Sequence, residues 1–335
     1  MPSPPVPSSF CSIERPGRTV VVDELRRETP IGVEHGTLND VVLLKSDGMP
    51  TYHLASVVDD AEMGITDVVR GDEWLPSLPI HVLIGQALDV PIPRYFHLPL
   101  LLAGKGKGKL SKRRQDAAVE HFLSTQGVLP SALLNFVALL GWNPGTTQEI
   151  YRDLAALEEA FDIARVHKSP AVVDVERLAW MNREHIMLRC REESDVGRRE
   201  VWRLAVARPD APEWLRNVDE EQGIDALATV ANKLGRAIFT VDDVPAETAV
   251  LLTEPDAAEC VVERPGDRQA IAQLVEQLRG APNDAADMAA LLKPHRKSMP
   301  AIRRALTGQR SGADLSKLMA VLGVGTCLER LARVA

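Results

Sequence analysis

Between residues 41 and 103, short apolar runs alternate with stretches of helical period. VVLLKSDG (41–48) reads as a strand closing in a Ser-Asp-Gly turn, TYHLASVVDDAEM (51–63) as a helix and ITDVVRG (65–71) as a second strand. LPSLPIHVLIGQALDV (75–90) repeats the helical period, and YFHLPLLLA (95–103) reads as a further buried strand. Strands separated by helices of this length predict a parallel α/β layer. Ligands in such layers bind beyond the carboxyl ends of the strands. Arg70–Gly71 and the run that follows Ala103 therefore stand where a ligand would sit.

From residue 116 the period is helical throughout: DAAVEHFLSTQG, then PSALLNFVALLGW with proline in its first turn, then YRDLAALEEAFD. Helices are predicted over 174–185, 195–207, 223–239, 267–279, 285–292, 300–306 and 314–322, and the proline-rich stretches near 209–213 and 241–246 are candidate boundaries. The pattern gives an α/β part followed by an all-α part.

Charge narrows the functional classes. The chain has 335 residues and a net charge of −8, with 13 lysines and arginines against 17 acids in residues 1–150 and 26 against 30 in the rest. A nucleic-acid partner cannot be argued from net charge, so any phosphate-binding surface must be local. Cys11, Cys190, Cys260 and Cys327 show no Cys-x-x-Cys or Cys/His ligand spacing, which points to a reducing compartment and no zinc site. No apolar run approaches the roughly 18 residues of a membrane span, and MPSPPVPSSF has neither a signal-peptide core nor transit-peptide character. A soluble, intracellular chain is expected.

LLAGKGKGKLSKRRQ (101–115) departs from this acidic background, with six cations between Lys105 and Arg114. A solvated loop or a localisation-type basic run is one reading. The Walker spacing fails, because Lys109 and Ser111 stand where a second glycine should follow Gly104 and Gly106, and Gly-x-Gly-x-x-Gly fails at Lys109. What remains is KLSKR, two lysines three apart around a serine on a glycine-rich loop after a buried strand. Such a loop can close over a polyphosphate and meet the charge that builds on its oxygens.

KSDGMPTYHLASVVDDAEMGITDVVRGDEWLPSLPIHVLIGQAL, with HLPLLLAGKGKGKLSKR, LPSALLNFVALLGW and FDIARVHKSPAVVDVERLAWMN, resembles glutamyl-tRNA synthetase of the bacterial and organellar type, from about Val20 to the C-terminus. The lysine loop is similar to the KMSKS-type signature of class I aminoacyl-tRNA synthetases. The resemblance implies the second half of a Rossmann-type catalytic domain followed by helical stem-contact and anticodon-binding domains. The implied division is 1–40 as a remnant of the acceptor-end insertion, 41–115 catalytic, 116–190 stem-contact and 191–335 anticodon-binding.

Site roles follow from the resemblance position by position. Lys109, Ser111 and Lys112 bind ATP, with Lys112 and Lys109 the catalytic cations; Glu73 and Trp74 are ATP-side contacts, and the backbone of Leu100 and Leu101 meets adenine. Tyr52, Ser56 and Arg70 hold glutamate, whose side-chain carboxylate suits a guanidinium. Ser56 lies one turn after Tyr52 on the same helix face, although many relatives have Asn there. RRALTG (303–308), within a run holding Lys293, Arg296, Lys297, Arg303 and Arg304, matches the last domain and makes Arg303 and Arg304 tRNA contacts. Implied partners are ATP with Mg2+, glutamate and tRNA(Glu), with no protein-bound zinc, no membrane, a monomeric state, and a cytoplasmic, mitochondrial or plastid location.

Blander readings stay open for several of these residues. Tyr52 also fits a half-buried helix residue and Trp74 a core residue, and Arg70 could pair with Asp67 or Asp72. Asp59–Asp60 reads as a helix-end pair that caps or pairs with neighbours, and His53 and His97 flank the site without a carboxylate at a defined spacing. Family members also carry a first half-domain with a His-Ile-Gly-His-type signature, and no His-x-Gly-His occurs here. The expectation is the C-terminal two-thirds of a glutamate–tRNA ligase, unable alone to form glutamyl-adenylate. The alternatives are an inactive tRNA-binding remnant or a glutaminyl-tRNA synthetase-like paralogue, the latter opposed by the helical C-terminal region.

Overall fold

A computed structural model describes residues 9–11, 17–103, 118–192 and 194–334, so Lys109, Ser111 and Lys112 lie outside the described residues. Two compact units emerge, one of Met1–Ser111 with Val137–Asp174, the other of Lys112–Phe136 with Val175–Ala335. The expected 116–190 segment is thus divided between them.

In the first unit, β1 (Ser9–Cys11) pairs with β4 (Val41–Leu44) and β2 (Arg18–Val21) with β3 (Ile31–Glu34), both antiparallel. The strand at 41–44 therefore departs from the expected parallel layer. Its chain reverses at once through Asp47–Gly48, with Gly48 at φ 81°, and returns in an antiparallel bridge from Leu44 to Pro50. Such a reversal favours glycine, which has no Cβ to clash at positive φ.

The predicted α/β alternation holds beyond that turn. It runs α1 (Tyr52–Glu62), β5 (Asp67–Gly71), α2 (Leu78–Ala87) and β6 (Arg94–Leu98), and β5 pairs parallel with β6. The strand read over 95–103 is broken at Pro99, which has no N–H to give a ladder. Its remainder, β7 (Leu101–Leu102), pairs parallel with β8 (Ala171–Val172). Val21, Leu78, Val82 and Tyr95 form the core beneath β5 and β6. Residues 17–40 join this core rather than standing apart: Val21 and Leu25 are buried, and Asp23 bridges to Tyr95 beside β6. A second cluster gathers Trp142, Tyr151 and Leu157, the last on α4 (Leu154–Ala160).

The second unit is helical: α5 (Val175–Arg191), α6 (Asp195–Val206), α7 (Glu213–Asn217), α8 (Glu220–Ala228), α9 (Val244–Leu252), α10 (Pro265–Leu278), α11 (Ala285–Leu292), α12 (Met299–Thr307) and α13 (Leu315–Ala332). The α3 helix (Pro130–Leu139) gives its first turns to this unit. Its core includes Leu129, Leu178, Met181, Ile224, Leu227, Ile271 and Leu274, all fully buried. Two buried polar side chains knit its first helices together. Asn182 accepts from the Leu129 N–H and donates to the Gly127 and Phe239 carbonyls, and His185 meets Asn135 at 3.0 Å. Pro245, read as part of a break, instead occupies the first turn of α9, where its missing N–H costs nothing.

Candidate functional site

Parallel register sets Arg70 of β5 beside His97 of β6, and the two-residue pleat puts Val68 and Tyr95 on the same face. The Arg70 guanidinium lies 5.2 Å from the Tyr95 ring centroid. Its Nε donates to His97 Nε2 at 3.0 Å, and its Nη1 lies 2.9 Å from His81 Nδ1 on α2. His81 Nε2 continues to His53 Nδ1 on α1 at 2.9 Å. On the other side, the buried Asp23 carboxylate accepts from the His97 backbone N–H at 2.9 Å and stands 3.3 Å from His97 Nδ1. Arg26 closes the line by donating to Asp23 at 2.7 Å and to the His97 carbonyl at 3.1 Å.

Electrostatics follow from this enclosure. His81 is 1% exposed, and burial first, then the Arg70 charge, pushes its pKa down to about 3. His97, fully buried, is also lowered, by burial and Arg70 against an opposing pull from Asp23. Both rings are neutral near pH 7 and can accept from the guanidinium. Arg70 Nη2 and Ser56 Oγ are nevertheless buried without a partner. Buried polar atoms left unpaired are costly, so such atoms mark places where a ligand group can dock.

The remaining predicted residues divide. Tyr52 packs against Trp74 with ring centroids 4.4 Å apart and ring planes tilted by 40°, and it stays 48% exposed, so it forms a wall rather than core. Ser56 and Asp60 follow Tyr52 at successive turns of α1. Burial raises the Asp60 pKa while the Arg70 charge opposes the shift, and Asp60 lies inside α1 rather than at its capping position. Asp67 pairs with Arg94 at 2.6 Å rather than with Arg70. The Glu73 carboxylate folds over Gly71 and leaves no room there for a Cβ. The Leu100 carbonyl is taken by the Ala171 N–H at 3.1 Å; ladder alternation turns the backbone groups of Leu101 to the opposite edge. Sequence reading missed His81, Asp23 and Tyr95. A histidine inside the apolar face Leu78–Val82 was the available signal for the first; nothing local links Asp23 to His97, 74 residues away.

The predicted arginine pair in the second unit is separated. Consecutive helix residues point about 100° apart. Arg304 lines a groove of about 320 Å³ with Arg264, Lys297 and Arg310, and Glu263 and Asp267 are its acids. Among the described residues these four cations form no ion pair. Arg303 instead lines a cavity of about 170 Å³ with Arg236, Glu247 and Thr307, where burial lowers its pKa. Among the described residues no three His, Cys, Asp or Glu side chains converge as metal ligands, and no helix is long and apolar enough to cross a membrane.

Comparison with known proteins places these features in a family. Residues 12–180 match the model of the tRNA synthetases class I (E and Q), catalytic domain, and residues 205–335 that of the anticodon binding domain. The chain is 32% identical over 329 residues to a glutamate–tRNA ligase of Carboxydothermus hydrogenoformans, covering 94% of this chain and 66% of that protein. It is 34% identical over 341 residues to that of Deinococcus radiodurans, covering 96% and 67%. A crystal structure of a glutamate tRNA ligase from Elizabethkingia meningosepticum, in complex with its amino acid, superposes with a TM-score of 0.73 at 28% identity, over 95% of this chain and 66% of that one. The chain thus spans about two thirds of the length of the curated relatives it matches. With a synthetase catalytic-domain match over its α/β part and an anticodon-domain match over its helices, the chain belongs to the class I tRNA synthetases of the E and Q group.

Proposed function

We propose that these residues are the glutamate-holding and tRNA-holding parts of a glutamate–tRNA ligase. The reaction joins a glutamate carboxylate oxygen to the α-phosphorus of ATP as the bond to the bridging oxygen breaks and Mg2+-pyrophosphate leaves. The terminal ribose hydroxyl of tRNA(Glu) then takes the glutamyl group and releases AMP. One observation carries this reading: a clamped guanidinium at the end of a parallel strand keeps a buried Nη2 without a partner, near the Tyr52–Trp74 ring pair. Arg70 takes the glutamate side-chain carboxylate, Tyr52 and Ser56 line its path, and Glu73, Trp74 and the Leu101 backbone face ATP. Lys109, Ser111 and Lys112 bind ATP. Arg304 and Arg303 meet tRNA.

A monomeric state and a cytoplasmic location belong to the same reading. Charging of tRNA(Glu) with radiolabelled glutamate by the natural protein containing these residues tests it. Charging that needs ATP and drops at least 10²-fold in Arg70→Ala is expected, the cost of losing one preorganised charged contact. A protein that retains tRNA(Glu) on a filter but neither charges it nor exchanges pyrophosphate would be the inactive tRNA-binding form instead.

A further inference from the structure

Arg70 is held from behind by two imidazoles, an arrangement that asks for a reason. An arginine can rotate about four side-chain bonds, and a free guanidinium samples many orientations. Here Nε and Nη1 are both engaged, the first by His97 Nε2 and the second by His81 Nδ1, while the flat side rests over Tyr95. Only Nη2 is left over, and it is buried.

Each histidine can serve this purpose in one tautomer only. Arg70 can only donate, so His97 must accept at Nε2 and carry its proton on Nδ1, facing Asp23 Oδ1. His81 must accept at Nδ1 and carry its proton on Nε2, which then donates to His53 Nδ1. Arg26 fixes Asp23 from the far side.

We propose that His81 and His97 are positioning residues: as neutral acceptors in opposite tautomers, set by His53 and Asp23, they lock the Arg70 guanidinium so that Nη2 faces a ligand carboxylate. This rests on the reading of Arg70 as the holder of that carboxylate. The locked orientation spares the ligand the ordering of a flexible side chain on binding.

Two measurements test the proposal. In long-range ¹H–¹⁵N spectra of the ¹⁵N-histidine-labelled chain, assigned with His81→Asn and His97→Gln, His97 should show the Nδ1–H form and His81 the Nε2–H form. His81 should stay neutral from pH 8 to 5, and His97 should protonate only below the usual imidazole range. Arg70 and Arg26 oppose their protonation, Asp23 and the nearby Asp60 favour it, and His53, Tyr52 and Tyr95 complete the facing groups. The opposite tautomer at either ring would overturn the proposal. In tRNA charging by the natural protein, His81→Leu should raise KM for glutamate about tenfold, on the scale of one lost hydrogen bond, with KM for ATP unchanged. His81→Asn keeps an acceptor at the Nδ1 position, and His97→Gln one at Nε2; both should stay within about twofold of wild type. An unchanged KM for glutamate in His81→Leu sinks the proposal while Arg70→Ala still loses charging. Unchanged charging in Arg70→Ala sinks the functional reading itself.

Discussion

Arg330 on α13 is 6% exposed and donates to three carbonyls: Val250 at 3.1 Å, Thr253 at 2.9 Å and Leu306 at 3.0 Å. Val250 and Thr253 lie at the C-terminal end of α9, and Leu306 lies in the last turn of α12. The last carbonyls of a helix have no partner inside it and carry partial negative charge, so one guanidinium finishes two helices at once. Arg330→Met keeps much of the side-chain volume and removes all the donors. The Leu306 carbonyl belongs to a fully buried residue and would be orphaned at about 1–3 kcal/mol; those of Val250 and Thr253, on half-buried residues, can recover water and cost about 1 kcal/mol each. Relief of the buried charge offsets part of this, leaving about 2–4 kcal/mol, a large share of the roughly 5–15 kcal/mol that holds a domain together. At about 2–4 °C per kcal/mol for a unit of this size, the melting temperature should fall by about 5–15 °C by far-ultraviolet circular dichroism. Arg330→Lys should recover little, because a single ammonium cannot fork across three carbonyls. A Met variant that melts within about 1 °C of wild type would show that these carbonyls do not need the guanidinium.

Gly223 on α8 faces the Trp202 ring with no space for a Cβ, so Gly223→Ala should destabilise by about 1–3 kcal/mol despite alanine's better helix propensity, read as a lower urea midpoint; Trp202→Leu in the same chain should recover part of the loss. Burial pushes the His185 pKa down to about 4 from an unfolded value near 6.5, so below about 6.5 the unfolded chain binds a proton the folded one refuses; the urea midpoint should fall between pH 7 and 4, and His185→Gln should flatten that fall. In filter binding with tRNA(Glu), Arg304→Ala should reduce the slope of log affinity against log salt by about one, whereas half-buried Arg303, in its own cavity, should change the slope less; equal changes would reject the separation of the pair.

Periodicity carried the helical half of the chain well where packing obeyed local rules. The helix read over 285–292 is α11 to the residue, because Asp284 caps it by accepting from the Ala286 N–H and a polar turn follows. Periodicity failed where one residue type has two uses. Pro245 starts α9 and Pro99 interrupts a strand, and α13 continues past 322 through a kink at Gly323, which sits at φ 82°. The candidate site was legible at Arg70, Tyr52 and Trp74 through the resemblance, and at His53 and His97 only as neighbours. The line from Arg26 through Asp23 to His97 was not legible at all, since it joins a short turn to a strand some seventy residues later. Contacts of that kind depend on tertiary closure and leave no periodic trace.

The choice of imidazole behind Arg70 has an electrostatic consequence that a carboxylate would not share. A carboxylate at the position of His81 or His97 would hold the guanidinium at least as firmly, but it would cancel the positive charge that a ligand carboxylate must feel. A neutral ring accepts the same hydrogen bond and leaves that charge in place. The acids nearby are managed accordingly. Asp67 is taken by Arg94, and Asp23 reaches the guanidinium only through the His97 ring while Arg26 shares its charge. Asp60 lies close enough for its pKa to feel Arg70, yet forms no hydrogen bond to it. Set over Tyr95 with one buried nitrogen unpartnered, Arg70 therefore keeps both a fixed direction and an uncompensated charge, the two properties that favour one carboxylate over its neutral amide.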